Sequence, residues 1–465
     1  MMNKAEVRSQ DFNPKWNLIS LYLASFIIVT GFSVIIPFFP IYANDVLYEF
    51  EVIGFIVGVA LQIGLITAAS KFVQIFLTPA FGDLSDEVGR KPLILVGMSL
   101  YTILMVGYGL AYDFFTLFVL RMCQGIGSAS VWPIGEALVV DTSKEEDRGK
   151  NLGYYMFSML IGLTLGPFLG YGIFTVFDTL SFSILDSYRL TFLSVGIFGI
   201  IATIMVIVFV KDPRQLGVEP ESILSLYGSS IRAMFVKIVQ SPRILIQSLS
   251  SEDGYRTRSI YTLYVVALVN GLGMALLLPI GALFLEDYYR LDAGSIALVL
   301  GVIGALALIG APLGGYISDK YGQKRTVWIT GIFGGGMMFL LGIQTTIWML
   351  VLLFTLRRFL FSILSPSFRS LQSSLTPEAV RGKEFGVVQS ANNLGSVIGP
   401  ILGGYLYDLF FGLNIDLGGG LVFIGAGVTF TVSGFFAIIA MILVVLYVKP
   451  NELEPESSLI LSTPA

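Results

Sequence analysis

Twelve long apolar runs make up most of this chain of 465 residues, and they constrain its fold more than any other feature. Hydrophobic residues form 55% of the chain and charged residues 13%, where soluble domains carry about 25% charged residues. About 20 apolar residues cross a bilayer as a helix, and these runs are continuous rather than alternating. The sequence therefore predicts an all-α integral membrane protein with twelve transmembrane helices. We number them spans 1 to 12, at approximately 17–43, 53–82, 92–112, 114–141, 151–177, 188–210, 259–286, 294–317, 326–345, 347–374, 384–411 and 419–448.

Basic residues are distributed unevenly between the two sides that the spans define. If both termini are cytoplasmic, 21 Lys and Arg residues lie in cytoplasmic segments and only 2, Arg189 and Arg290, lie outside. The positive-inside rule therefore predicts that both termini are cytoplasmic. A basic inner face of this kind meets the anionic headgroups of membrane lipids, and we expect no nucleic-acid partner.

A short polar sequence occurs twice, as "FGDLSDEVGRKP" at 81–92 and as "GGYISDKYGQKR" at 314–325. The two copies are 233 residues apart, and the same offset holds without a gap from about 82 to 170. The chain is therefore a duplicated unit of six spans, whose copies run parallel. The matched residues are Gly82 with Gly315, Asp86 with Asp319, Gly89 with Gly322, Gly166 with Gly399, Pro167 with Pro400 and Gly170 with Gly403.

The duplication divides the chain into two six-helix bundles related by a pseudo-twofold axis. The N-terminal bundle is predicted at 1–210 and the C-terminal bundle at 259–448. A cytoplasmic linker at 211–258, rich in Ser, Pro and charge, is predicted to contain an amphipathic helix. The tail at 449–465 is predicted to be cytoplasmic.

These residues resemble the major facilitator superfamily across essentially the whole chain. The loop that contains Gly82, Asp86, Gly89, Arg90 and Lys91 is similar to the signature of that family between spans 2 and 3. Span 4 resembles a second motif of the family, through Arg121, Gln124, Gly125 and Gly127. The resemblance implies a monomeric transporter of small molecules that works by alternating access, with spans 1, 4, 7 and 10 around a central cavity.

Two charged residues of the first half, one in the loop and one at the end of span 4, have neutral counterparts in the second half. Arg90 becomes Gln323, and Asp141, at the end of span 4, becomes Ser374 at the same offset. Because both charges vanish together, we predict that Arg90 and Asp141 form an ion pair. Gly82 is expected to let span 2 pack closely, and Gly89 is expected to permit a turn that other residues would strain.

Span 5 contains glycines that reproduce the spacing of a signature associated with drug exporters. The matching residues are Gly153, Gly162, Gly166, Pro167 and Gly170. Glycines four residues apart form a smooth ridge for close helix packing. Similar spacing recurs in span 11. The pattern therefore indicates either a drug exporter that works by exchange or a helix packing that both halves share.

Charged residues inside the spans need an explanation, because a charge near the centre of a bilayer costs about 2.5–3.5 kcal/mol. Glu136 lies on one stripe of span 4 with Arg121 and Trp132, and the 233-residue offset maps it onto Arg369 of span 10. Our hypothesis is that Glu136 and Arg369 close the cytoplasmic mouth of the cavity. Protonation of Glu136 would then weaken the gate. The alternatives are that Glu136 pairs with Lys71 or lies among the headgroups.

The remaining polar residues inside the spans are candidates for lining the cavity. Arg121, Arg357 and Arg358 either bind an anionic group, relay protons or donate hydrogen bonds to backbone carbonyls. Asn270, Gln389 and Asn393 are further candidates for lining the cavity, as is Trp132 on the stripe of span 4.

The sequence favours transport over catalysis. It contains no phosphate-binding GxxxxGK[ST] motif, no His and a single Cys, so we expect no enzyme activity, no cofactor and no metal site. We predict a secondary transporter in a prokaryotic cytoplasmic membrane that exports small amphipathic compounds in exchange for protons. The alternative is uptake of a sugar, an organic acid or another metabolite by proton symport or facilitated diffusion. A non-transporting membrane sensor is a remote third reading.

Overall fold

The computed structural model describes residues 13–52, 55–213, 234, 236, 258–343, 346–376, 381–418 and 421–449. Most of the predicted linker at 211–258 and nearly all of the tail at 449–465 lie outside the described residues. The described residues contain twelve helical spans, each of which overlaps one of the predicted runs. Ten of them, among the described residues, are long and apolar enough to cross a membrane, and spans 9 and 11 are helices of 19 and 30 residues.

Spans 1 to 6 are single helices. These are α1 (Pro14–Val46), α2 (Val59–Val88), α3 (Arg90–Leu110), α4 (Phe114–Thr142), α5 (Arg148–Thr179) and α6 (Ile184–Phe209). Asp113 is the N-cap of span 4, and its carboxylate accepts hydrogen bonds from the hydroxyl and the backbone N–H of Thr116. These bonds hold the pKa of Asp113 below its usual range.

Spans 7 and 8 are each interrupted, and spans 9 to 12 are single helices. The segments are α7 (Arg258–Ala275), α8 (Ile280–Tyr289), α9 (Ala293–Ala305), α10 (Ala307–Tyr321), α11 (Gln323–Leu341), α12 (Ile347–Ser374), α13 (Arg381–Phe410) and α14 (Val428–Tyr447). The interruption of span 7 ends at Pro279, which has no N–H to continue the hydrogen-bond ladder of α7.

Two short β-hairpins precede spans 2 and 12. Strands β1 (Phe50–Val52) and β2 (Phe55–Val57) pair antiparallel, and so do β3 (Asn414–Gly418) and β4 (Leu421–Ile424). The predicted starts of these spans, at 53 and 419, were therefore wrong. Most apolar residues in the hairpins are β-branched or aromatic, and such residues favour strands as readily as they extend an apolar run.

The hairpins lie at one end of the molecule, which we call the hairpin face. The other end contains the two loop copies with Gly89 and Gly322, and we call it the motif face. One close helix pair occurs at the equivalent position in each half. Span 5 packs against span 1 and span 11 packs against span 7, and the glycines of the predicted ridge lie at both contacts.

The two halves contact each other toward the hairpin face. The carboxylate of Asp408, at the end of span 11, accepts hydrogen bonds from the backbone N–H groups of Ala60 (3.2 Å) and Leu61 (2.8 Å) at the start of span 2. A Cβ at Gly301 of span 8 would lie 2.9 Å from the ring of Phe168 in span 5. The halves are therefore closed together at this end.

Candidate functional site

Arg90 is the centre of a charged cluster on the motif face. Its guanidinium pairs with Asp86 (2.7 Å) and with Asp141 at the end of span 4 (3.1 Å), and it also donates to the hydroxyl of Ser85. The ion pair predicted from the two changed letters is thus present. It connects the loop to span 4.

Asp212 is a member of this cluster that the sequence did not reveal. It is buried, and its carboxylate accepts hydrogen bonds from the backbone N–H groups of Arg90 (2.6 Å) and Lys91 (3.2 Å). A carboxylate at this position stabilises the N-terminus of span 3. Asp212 follows span 6 directly, so it connects the last span of this half to the loop.

The second copy of the loop keeps the backbone and changes the contacts. Gly322 has φ 91°, close to the 95° of Gly89, and a glycine adopts such values without strain. Gln323, in the place of Arg90, donates to the hydroxyl of Ser370 (2.8 Å). The residue at the offset position of Asp141, Ser374, bonds instead to the carbonyl of Leu371.

The close packing expected at Gly82 is not found. A Cβ at Gly82, or at its counterpart Gly315, would have no neighbouring atom within 4 Å. The prediction was wrong for this conformation, because spans 2 and 11 meet near the hairpin face and not at this end. Asp319 is exposed in the second loop.

The glycine ridge of span 5 lies against span 1. A Cβ at Gly162 would lie 2.7 Å from the carbonyl oxygen of Phe26, and one at Gly170 would lie 2.8 Å from the ring of Phe38. Gly166 faces Ser33, Pro167 lies within the helix, and Gly153 has open space around it. The equivalent glycines of span 11 meet the backbone of span 7 in the same way. This ridge is therefore common to both halves. Its presence does not distinguish a signature of exchange transport from a general requirement of helix packing.

Glu136 and Arg369 face each other across the two halves on the motif side. They are within electrostatic range of one another, yet they form no ion pair within 4.0 Å. Arg369 is exposed, and its guanidinium lies 3.9 Å from the sulfur of Met156 in span 5. The carboxylate of Glu136 also lies near Tyr155. Lys71, the alternative partner, donates to Gln74 (3.2 Å).

Arg121 and Trp132 pack inside the first half. The guanidinium of Arg121 lies 3.8 Å above the ring of Phe39 and donates to Gln124 (2.8 Å). Trp132 packs edge-on against Tyr101 of span 3. These contacts connect spans 1, 3 and 4.

The polar candidates of the second half fall into two groups. Gln389 donates to Asn393 within span 11 (3.2 Å), and of these two Asn393 is buried and Gln389 exposed. Arg357 and Asn270 line a cavity inside the second half, and Arg358, next in the chain, does not line it. Among the described residues, no group of three or more His, Cys, Asp or Glu side chains is arranged to hold a metal ion.

A second cluster of acidic residues lies near the hairpin face, and the sequence analysis missed it. Asp287 accepts a hydrogen bond from the hydroxyl of Tyr407 (2.6 Å), and Glu286 lies within electrostatic range of Asp45 in span 1. Together with Asp408, these carboxylates lie where the halves meet. The signal that could have found them was the presence of acids at the ends of otherwise apolar spans.

The chain matches a family model over both halves. The model described as Major Facilitator Superfamily matches residues 21–251 and 263–461.

Two curated relatives are similar over most of the chain. The quinolone resistance protein NorA of Staphylococcus aureus strain MSSA476 is 24% identical over 412 residues, which cover 86% of this chain and 93% of NorA. The multi-drug resistance efflux pump PmrA of Streptococcus pneumoniae serotype 4 is 26% identical over 401 residues, which cover 84% of this chain and 90% of PmrA.

Solved structures share the fold at low sequence identity. A crystal structure of a D-xylose–proton symporter superposes with a TM-score of 0.72 at 16% identity, over 94% of this chain and 99% of that one. A bacterial homologue of the human lysosomal transporter Spinster, in an inward-facing and occupied conformation, superposes with a TM-score of 0.70 at 15% identity, over 92% and 96% of the two chains.

Proposed function

Because the chain belongs to the major facilitator superfamily, we propose that this multi-pass membrane transporter exports small amphipathic compounds from the cell in exchange for protons. Proteins of this family are transporters and not enzymes. The observation that carries the direction and the substrate class is the similarity to two efflux proteins over more than four fifths of the chain. The protein acts as a monomer, since each chain contains both halves of the alternating-access unit.

The contacts between the halves support a specific conformational state. The halves are held together near the hairpin face by the bonds from Ala60 and Leu61 to Asp408. On the motif face, Glu136 and Arg369 are not in direct contact. With both termini cytoplasmic, as the distribution of Lys and Arg predicts, the motif face is cytoplasmic. The structure then corresponds to a state that is closed to the outside.

Glu136 and Arg369 form the cytoplasmic gate in this proposal. When the bundles rock to close the motif face, the carboxylate and the guanidinium approach and pair. Protonation of Glu136 removes its charge and weakens the pair, so that proton binding shifts the equilibrium between the two states. The two residues lie on spans 4 and 10, which occupy equivalent positions in the two halves.

Transport by proteoliposomes with an imposed pH gradient tests the proposal. A fluorescent dye reports the gradient while lipophilic cations, sugars and organic acids are added in turn. We expect a lipophilic compound to dissipate the gradient, and we expect Glu136→Gln to reduce this flux by about tenfold. Glu146→Gln is the matched control, because Glu146 is exposed just beyond the same span.

Other outcomes would contradict parts of the proposal. Dissipation by a sugar or an organic acid, and not by lipophilic compounds, would favour uptake. Substrate movement without any proton movement would exclude proton coupling. The charge-swapped variant with Glu136→Arg and Arg369→Glu should recover part of the flux that each single change removes. A swap as inactive as either single change would refute the gate.

A further inference from the structure

A small cavity lies inside the second half, between spans 7, 9, 10 and 12. It is lined by residues of this half alone, so it is distinct from the interface where the two halves meet. Its volume is about 40 Å³, and because one water molecule needs about 10–15 Å³, it has room for about three of them. The cavity is therefore too small for a ring or an acyl chain, and it fits a monatomic ion with some water.

Close packing of span 9 against span 12 keeps the cavity small. A Cβ at Gly331 would meet the sulfur of Met441, and one at Gly335 would lie 2.9 Å from the side chain of Ile438. A Cβ at Gly334, in contrast, would have its nearest neighbour 4.0 Å away. The wall formed by span 12 is thus tightly packed, and free space remains beside Gly334.

Arg357 is the one charged residue that lines this cavity, among the described residues. It lies about 15 Å along span 10 from Ile347, well inside the membrane span. Its guanidinium donates to the sulfur of Met274 (3.4 Å), a weak acceptor, and it forms no ion pair with any Asp or Glu of the described residues. The neighbouring Arg358 repels it. A charge in this position without a counter-charge is energetically unfavourable, so a bound anion would be strongly stabilised.

Asn270 is a second hydrogen-bond donor in the cavity. It lies one helical turn before Met274 on span 7, and therefore on the same face of that helix. Its amide makes no hydrogen bond to another described residue. The hydroxyls of Ser433 and Thr330 also line the cavity, but each donates to a backbone carbonyl (2.7 Å). The donors available to a ligand are thus the guanidinium of Arg357 and the amide of Asn270, an arrangement that favours an anion.

We propose that this cavity binds one small inorganic anion, chloride or another halide, between Arg357 and Asn270. The ion supplies the counter-charge that the guanidinium lacks among the described residues. A single negative charge matches the single guanidinium, whereas a divalent oxyanion would leave an excess charge against the apolar wall of Phe361 and Leu364. The ion connects span 7 to span 10 and stabilises the second bundle. This site is independent of the direction of transport and of the gate at Glu136.

Thermal unfolding of the purified full-length protein in non-ionic detergent tests the proposal. Sodium chloride is titrated while sodium gluconate keeps the ionic strength constant, because gluconate is too large to enter the cavity. We expect the unfolding temperature to rise with chloride and to saturate, since a ligand that binds only the folded state stabilises it by mass action. The half-saturating concentration reports the affinity. An unfolding temperature that does not depend on chloride, or that rises without saturating, would overturn the site.

Arg357→Gln separates an ion-binding role from a merely structural one. It should raise the half-saturating chloride concentration by about tenfold or more, because it removes a charge-assisted bond. In gluconate alone it should unfold at a temperature no lower than that of the wild type, because the variant loses a charge that has no partner there. Asn270→Ala should raise the half-saturating concentration by about threefold to tenfold. An unchanged chloride response in Arg357→Gln would refute the site.

Two control variants remove other cations from the membrane spans. Arg358→Gln removes the neighbouring charge, which does not line the cavity, and Lys71→Gln removes a lysine of the first half that donates only to Gln74 among the described residues. Both variants should keep the half-saturating concentration within about threefold of the wild type. Equal losses in Arg357→Gln and Arg358→Gln would show a diffuse effect of positive charge and would contradict the proposed site.

A pair of leucine variants tests the cavity itself without changing any charge. Gly334→Leu fills the space and should raise the half-saturating concentration by about tenfold or more. Gly336→Leu adds the same side chain to span 9 at a position with open space and outside the cavity, and it should respond to chloride as the wild type does. Equal losses in the two variants would place the ion elsewhere. Because no gradient is present in detergent, a negative result here does not bear on export, and failure of export in proteoliposomes does not bear on this site.

Discussion

The two copies of the loop motif have the same backbone and different contacts. Both place a glycine at positive φ between two spans, and in both a lysine donates to a carbonyl near the end of the last span of its half. Lys91 donates to Ile207 and Lys324 to Val445, each at 2.9 Å. The turn and the lysine contact are thus the parts of the motif that each bundle needs in order to hold its helices together.

The charged cluster is an addition that only the first copy has. Arg90 pairs with Asp86 and Asp141, whereas Gln323 makes one neutral hydrogen bond to Ser370. Breaking a buried ion pair from one side costs about 3–5 kcal/mol, and a neutral hydrogen bond contributes about 0.5–1.5 kcal/mol. The first loop therefore connects spans 3 and 4 more strongly than the second loop connects spans 9 and 10. The two halves should respond unequally to equivalent mutations.

The largest effect is expected from Arg90→Gln. This change removes the guanidinium that pairs with the partly buried Asp141, and we expect the free energy of unfolding to fall by about 3 kcal/mol. Thermal unfolding of the purified protein in detergent measures the change. Lys144→Gln, close to the same end of span 4 but outside the cluster, is the control, and an equal fall in the control would refute the ion-pair argument.

A double variant tests whether the first half stays stable when both charges of the ion pair are replaced by the neutral residues of the second half. Arg90→Gln combined with Asp141→Ser introduces the two letters of the second half. We expect it to recover about 2 kcal/mol relative to Arg90→Gln alone, because the carboxylate that loses the guanidinium of Arg90 is removed as well. If the double variant were less stable than the single one in the same unfolding assay, Asp141 would have another partner that stabilises it more than Arg90 does.

The glycines of the two loops should behave alike. Gly89→Ala and Gly322→Ala each place a side chain at a positive φ with an extended ψ, a backbone conformation found almost only at glycine, which costs about 1–3 kcal/mol. Similar falls in the unfolding temperature of both variants would show that the turn is the shared element of the two loops. A large fall in only one of them would contradict this equivalence.

The smallest effect is expected from Gln323→Ala. It removes one neutral hydrogen bond, the one to Ser370, and should lower the free energy of unfolding by about 1 kcal/mol. Ser374→Ala is the matched control, since Ser374 bonds only within its own helix. If Gln323→Ala proved as destabilising as Arg90→Gln, the proposed difference between the two loops would be wrong.

The comparison of residues 233 positions apart identified some contacts between side chains and not others. It located Arg90 and Asp141, because both letters change together between the halves. It failed for Gln323, whose partner Ser370 lies one helical turn before Ser374 on the same face of span 10. An amide side chain is shorter than an arginine, so the partner is the nearest hydroxyl and not the residue at the matching position.

The capping residues show a second limit of the sequence. Asp212 and Asp408 each bind backbone N–H groups at the start of a helix distant in the chain, spans 3 and 2 respectively. A local capping pattern is visible in sequence, as at Asp113, because the residue precedes its own helix. A cap supplied from another span depends on which helix ends meet, and that depends on the packing of the bundles.

The sequence by itself determined the twelve spans, the duplication and the pairing of Arg90 with Asp141. These follow from apolar length, which a bilayer requires, and from a fixed offset between two copies of one unit. Only the tertiary structure decided that the halves close at Asp408, that Gly82 faces open space and that Arg357 lines a cavity inside one bundle. The reason is physical: hydrophobicity places a helix in the membrane, but its rotation and its neighbours are set by contacts between residues far apart in the chain.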